Sequence, residues 1–332
     1  MKLTLKVLEC VLIKIIVWTF FLGITLVSPF LGAVSLDITQ LLNANSLDAQ
    51  IFFDLRLPRL LFTLGAGATL ALSGLLFQTL FRNALMTPYT LGISSGAVLG
   101  AGIAIKLGVS SLFFGIAAIS LFGFLGALAT VFLLLYLSQF LKSSQQESLL
   151  LLGIALSLFY TSALMVIFYL GSSIQNDMLI RFTMGSLSVI AWHSPILLSV
   201  TTLLLLGVSY IYRYDLQLLS ISEESAKLKG VDSKKVTLIL LILSSLCVGI
   251  LVSISGPIGF VGLIIPHMVS KLYPLGVEKR IFKTALFGAL FLVFCDTLAR
   301  SIQTQSELPI GIITAIIGGP FFIYLIISRS SR

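Results

Sequence analysis

Two stretches of 35 residues, 107–141 and 236–270, contain no Asp, Glu, Lys or Arg. One bilayer crossing takes about 20 apolar residues. Each stretch is therefore too long for one crossing and too apolar for water. The rest of the chain agrees: 58% of its 332 residues are hydrophobic and 10% are charged. A soluble domain carries about 25% charged residues. The expected fold class is all-α, a polytopic membrane protein with ten transmembrane helices in a single domain over residues 1–332.

Charges and Pro/Gly clusters divide the chain into spans at about 14–34, 60–81, 90–105, 113–138, 148–170, 192–212, 236–254, 258–271, 281–299 and 308–327. The first follows Lys2, Lys6 and Lys14 and is longer than a signal-peptide core, so it reads as an uncleaved helix. With ten spans and the N-terminus inside, 16 of the 21 Lys and Arg residues fall on the inner side and 5 on the outer. For a chain read as a multi-pass inner-membrane protein, that asymmetry predicts both termini in the cytoplasm. The net charge of +8 is thus a matter of orientation, and no nucleic acid partner is expected. Cys10, Cys247 and Cys295 lie in or beside apolar runs without paired spacing, as small buried residues do.

Ser255-Gly256-Pro257-Ile258-Gly259 interrupts the second uncharged stretch. Proline has no amide hydrogen and glycine favours non-helical angles, so a helix breaks there. Irregular backbone at membrane depth is tolerated where it is buried in protein or lines a wet cavity. Ser255, Gly256 and Pro257 are therefore candidates for a transport path; a plain loop between two short helices is an equal alternative. Gly92, Gly96 and Gly100, and Gly67, Ala71 and Gly74, form small-residue faces suited to close helix packing.

The chemistry that is missing also constrains function. Gly92-Ile93-Ser94-Ser95-Gly96 matches the serine-hydrolase elbow, but it lies in a transmembrane helix rather than after a strand. No Gly-Lys dipeptide occurs, so the chain has no P-loop. The predicted span cores between about 60 and 295 contain no Asp, Glu, Lys or Arg. Ion-coupled pumps place such groups mid-membrane, which weakens an ion-coupled secondary transporter as the alternative. No cluster of His, Cys, Asp and Glu could strip a bare metal ion, so a large cargo carried whole fits better.

After span six, the connection at about 214–235 holds Ser220-Ile221-Ser222-Glu223, a capping-box pattern, and Gly230 at a helix C-cap position. A short amphipathic helix there would either dock on a partner or lie on the membrane. On the other side, Arg56, Arg59 and Arg300 would either meet external carboxylates or pair locally with Asp54 or Asp296.

Four ordered elements then carry a resemblance. The first holds Arg56-Leu57-Pro58-Arg59, Ala71-Leu72-Ser73-Gly74, Gln78, Phe81-Arg82-Asn83-Ala84-Leu85 and Pro88 to Ala97. The second is Gly185-Ser186-Leu187 with Trp192, and the third is Ser255 to Leu263 with Pro266-His267. The last holds Asp296-Thr297-Leu298-Ala299-Arg300, Glu307-Leu308-Pro309-Ile310-Gly311 and Gly318-Gly319-Pro320-Phe321. Together they resemble the permeases of ABC importers for iron-siderophore, haem and cobalamin.

The resemblance implies a type II importer permease, not an enzyme. It would bind no cofactor, with ATP used by a partner subunit. Its partners would be a second permease subunit, giving a homodimer, two cytoplasmic ATP-binding subunits and an extracytoplasmic substrate-binding protein. Arg56, Arg59 and Arg300 would dock the binding protein. Ser222, Glu223, Ala226, Leu228 and Gly230 would couple to the ATPase, although Lys229 stands where the family usually has leucine. Ser143 and Ser144 match the inner gate region by position, and Pro309 belongs to the last element.

Overall fold

The computed structural model describes residues 18–32, 37–42, 46–109, 112–113, 116–140, 145–302 and 307–330. Thirteen helices occupy these residues: α1 Trp18–Phe30, α2 Leu47–Leu80, α3 Ile93–Lys106, α4 Ala118–Ser138, α5 Gln145–Leu170, α6 Ser173–Met184, α7 His193–Ile211, α8 Arg213–Ile221, α9 Glu223–Leu228, α10 Ser233–Ser255, α11 Val261–Leu272, α12 Val277–Ile302 and α13 Ile310–Ser330. A two-residue antiparallel pair, Leu112–Phe113 with Ile116–Ala117, precedes α4.

Six helices (α2, α4, α5, α7, α10 and α12) are long and apolar enough to cross a membrane, and α1, α3, α11 and α13 are shorter apolar helices. These ten occupy the ten expected spans. The bundle has its centre at α2, α10 and α12. More than half of the apolar window of each is buried, whereas that of α5 is 17% buried and lies at the periphery. Exposed Leu151, Leu158, Phe159 and Met165 on α5 make a face suited to lipid or to a partner helix.

The small-residue faces act in packing. Gly67 of α2 lies against the backbone of Gly288 on α12, and Gly74 against that of Gly262 on α11. Gly96 and Gly100 meet α4 at Thr130 and Phe122. With lipid outside, close van der Waals contact replaces the hydrophobic effect as the force between helices. Gly92 departs from the expected face: it is the N-cap of α3, at φ +80°.

Two differences from expectation concern boundaries. Span two begins earlier, because α2 continues from Leu47 through a wide turn at Ile51–Arg56. Helix α6 was not foreseen at all. Its start is a capping box in which Ser172 accepts from Gln175 N and Gln175 returns the bond to Ser172 N.

Candidate functional site

The interrupted helix is real and tightly held. Helix α10 ends at Ser255, and α11 begins at Val261. At 1.5 Å per residue, the 12 residues of α11 span about 18 Å, short of the roughly 30 Å hydrocarbon core. The non-helical segment 256–260 joins it to α10. Ser186 N donates to Ser255 O at 2.7 Å, and Gly256 N donates to Val252 O at 2.8 Å.

Three distant sequence elements meet here. Gly256 has φ +70° and lies against the carbonyl of Phe182. Gly185 has φ +74°, and a Cβ on it would stand 2.7 Å from Pro257 O. Gly311, at the start of α13, lies against Met184 O. Left-handed angles and carbonyl contact together exclude a side chain at 185 and 256. Phe260 also has a positive φ, +66°, unusual for a bulky residue.

Beside this junction lies a cavity of about 540 Å³. Pro257, Gly259 and Phe260 form one wall, Thr87 to Thr90 and Ser94 another, and Met184 and Ile312 a third. Ser255 and Gly256 are buried behind Pro257 and do not line it. Pro309 lies outside the lining as well. Ser143 and Ser144 lie outside the described residues. The Thr87–Thr90 wall is a turn held by its own hydroxyls: Thr87 N donates to Thr90 Oγ1 at 2.9 Å, and Thr90 N donates to Thr87 Oγ1 at 3.2 Å.

One contact was missed by sequence reasoning. Pro266 inside α11 has no amide hydrogen, so the Gly262 carbonyl lacks its helical donor. Gln78 of α2 fills the gap, with Nε2 at 3.2 Å from Gly262 O and 3.3 Å from Leu263 O. The proline was a visible signal for an orphan carbonyl, but nothing in the sequence names the donor.

At one end of the bundle the three arginines have internal partners. Arg59 reaches Asp296 (Nη2–Oδ1, 2.8 Å) and Glu307 (Nη1–Oε2, 2.7 Å). Arg300 pairs with the other Asp296 oxygen at 3.1 Å and donates to Leu31 O and Ser28 Oγ. Arg56 donates to Pro29 O at 2.9 Å. Asp296 is 2% exposed, and these two guanidiniums offset the cost of burying its carboxylate. Glu307 also accepts from Ser188 Oγ at 3.1 Å. Partial burial pushes the Glu307 carboxyl up, but the Arg59 charge and the bonds from Arg59 and Ser188 outweigh it and hold the group below its ordinary value.

At the opposite end α8 and α9 form a surface pair. The N-cap is Ser222, whose Oγ accepts from Ser225 N at 2.9 Å. The expected capping box starting at Ser220 is therefore corrected: the Ser220 hydroxyl turns back to Gln217 O instead. Glu223 occupies the first turn and pairs with Lys227 at 2.8 Å. Gly230 has φ +82°, and Val231 N donates to Ala226 O, so the helix ends as expected. Ala226 is fully buried, whereas Leu228 is 89% exposed.

A ten-span bundle with a broken helix beside a cavity, and an exposed helix pair at one end, defines a multi-pass membrane permease. The comparisons with known proteins agree. The family model described as the FecCD transport family matches residues 19–328. The hemin transport system permease protein HmuU of Yersinia pestis is 35% identical over 310 residues, covering 92% of each chain. The molybdate import system permease protein MolB of Haemophilus influenzae is 34% identical over 318 residues, again covering 92% of each. A solved structure described as an inward-facing conformation of a putative metal-chelate type ABC transporter superposes with TM-score 0.82 at 31% identity, covering 93% of this chain and 96% of that one. The chain belongs to the FecCD transport family. It is the membrane-spanning permease subunit of an ABC importer.

Proposed function

We propose that this permease carries a chelated metal or metallocofactor across the cytoplasmic membrane, with ferric siderophore the first candidate and haem or cobalamin next. The cavity beside the Pro257 break carries the reading. Its walls mix Thr, Ser and Gly with Tyr89, Phe260 and aliphatic groups such as Leu70, Val248 and Leu263, and no group of three or more His, Cys, Asp or Glu side chains occurs among the described residues. Such walls suit a cargo that keeps its own ligands. The path runs past Pro257, with Ser255 and Gly256 holding the break behind it and with Pro309 and the Ser143–Ser144 region as gate candidates.

The chain works as a homodimer with two ATP-binding subunits on the α8–α9 end and a binding protein on the Arg59 end. Both termini lie in the cytoplasm, as the distribution of Lys and Arg favours. Ser222, Glu223, Ala226, Leu228 and Gly230 form the coupling surface. Leu228 offers the ATP-binding subunit an exposed apolar anchor. The binding protein docks where Arg56, Arg59 and Arg300 gather, competing with Asp296 and Glu307 for the guanidiniums of Arg59 and Arg300.

Uptake of labelled ferric siderophore, haem and cobalamin into cells carrying the intact importer tests the cargo. Accumulation of one of the three that stops when the ATP-binding subunit is inactivated is the expected result. Uptake that persists without nucleotide hydrolysis would overturn the ABC mechanism; transport of a bare oxyanion alone would overturn the cargo class.

A further inference from the structure

The cavity beside Pro257 has walls of two origins. Met184, Pro257 and Ile312 adjoin Gly185, Gly256 and Gly311, the glycines of the junction, and belong to one packed group. Leu70 is on α2, and Thr87 to Thr90 follow that helix in the chain. The cavity therefore lies between the junction group and α2, and a tie between these two holds its walls in place.

Glu307 is such a tie. Both of its carboxylate oxygens accept from Arg59 Nη1 on α2, at 2.8 and 2.7 Å. Oε2 also accepts from Ser188 Oγ, just past Gly185, at 3.1 Å. Glu307 stands shortly before Gly311, with Pro309 between them. Proline fixes its φ at about −65°, so a short, stiff segment joins the carboxylate to the start of α13.

Arg59 is held unequally on its two sides. Nε and Nη2 grip Asp296, whose side chain is 3% exposed. Nη1 faces Glu307, whose side chain is 46% exposed. A buried pair is costly to break from one side, whereas an exposed pair holds weakly. An incoming carboxylate thus meets a replaceable partner at Nη1 and a fixed one behind it. Leu308 N donates to Ala299 O of α12 at 3.4 Å. That bond does not involve Glu307, and it leaves the segment before α13 a point to turn on.

We propose that Glu307 is a positioning residue for transport, standing in for a carboxylate of the binding protein. In the free permease it occupies the outer side of Arg59 and keeps α13 and the 185–192 segment drawn to α2. A carboxylate of the docked binding protein takes its place, and the released junction group turns against α2 and widens the cavity. The proposal rests on the docking reading given above for Arg59.

The test uses the intact importer carrying Ile312→Cys on the cavity wall. The rate at which a charged methanethiosulfonate reagent modifies that position reads access to the cavity, and the importer without the substitution gives the background from the native cysteines. Docking of the binding protein should raise the rate. Glu307→Gln should raise it up to about fivefold without the binding protein, the most that an exposed ion pair holds, and docking should then add nothing more. The binding protein should also bind Glu307→Gln more tightly by a similar factor, because the competitor for Arg59 is gone.

A rate that docking leaves unmoved, or that Glu307→Gln leaves unmoved, would overturn the proposal. So would a docking increment that survives in Glu307→Gln, since general loosening of the fold gives that result. A raised rate beside an unchanged affinity would instead overturn the docking reading, and the displacement with it. Should Glu307→Gln fail to fold, Ser188→Ala removes one bond to Glu307 from an exposed position; it should show the same pattern at smaller size, and an unchanged rate there would overturn the proposal equally.

Discussion

The side-chain amide of Gln78 donates to the Gly262 carbonyl at 3.2 Å, the position that residue 266 would serve in an unbroken helix were it not proline. The two residues sit on different helices, 184 positions apart for the bond itself. One compensates for a donor that the other removed. The bond also brings α2 and α11 together at the point where Gly74 and Gly262 touch.

Replacing Gln78 by Leu leaves that half-buried carbonyl, on the cavity wall, without its side-chain donor. The expected cost is about 0.5–1.5 kcal/mol, read as a lower Tm of the detergent-solubilised protein. In a Pro266→Ala background the backbone regains its own donor, and the same Gln78→Leu change costs less. Equal costs in the two backgrounds would refute the compensation.

Gly256→Ala puts a methyl group onto the Phe182 carbonyl at a left-handed angle. Strain of this kind costs about 1–3 kcal/mol before the clash is counted. The variant should fold poorly, and Gly185→Ala should match it, because both press on the same junction. Gly319→Ala, where a Cβ meets nothing within 4 Å, serves as the control; normal folded yield of Gly256→Ala in size-exclusion chromatography would contradict the packing described.

Asp296→Asn leaves Arg59 and Arg300 without the carboxylate they share. Breaking a buried ion pair from one side costs about 3–5 kcal/mol. Glu307 has a side chain 46% exposed, so Glu307→Gln costs only up to about 1 kcal/mol. The order of the two Tm values checks this, and a reversed order would place the central charge at Glu307.

The Glu307 contact also has a pH signature. Its carboxyl is held below the ordinary value in the fold, so its stabilisation is complete above about pH 4.3, the unfolded glutamate pKa. It is lost as pH falls through the lower, folded value. Wild type and Glu307→Gln should therefore differ in Tm at pH 7 and converge in strong acid. A gap that stays constant to the lowest pH would exclude the Arg59 pairing.

Leu228→Glu alters an exposed side chain, so the permease alone should keep its Tm. Its association with the ATP-binding subunit should fall severalfold in a pull-down, since truncating an apolar anchor costs about 1–2 kcal/mol or more at an interface. Undiminished association would move the coupling contact away from α9.

The span pattern was legible because lipid demands long charge-free segments, and residues such as Lys106, Lys142, Lys235 and Lys271 mark where those segments end. The break at Gly256-Pro257 was legible because two backbone rules coincide there. Helix α6 was hidden by mixed polarity, although Ser172 and Gln175 carried a capping signal. The Ser220 box failed because two overlapping serines offered a cap, and the turn after α8 selected Ser222. The Arg59–Glu307 pair joins positions 248 apart, and no local pattern registers such a contact. The local pairing of Asp296 with Arg300 was among the sequence alternatives, but the part played by Arg59 in it required the fold.

The junction of Gly185, Gly256 and Gly311 has a mechanical consequence. Three backbones touch there with no side chain between them, so none can slide by one residue without collision. Helices α6, α10 and α13 are therefore geared at this point, and torque applied to any one turns the others. Whatever rocking opens the cavity must take its hinge outside this knot.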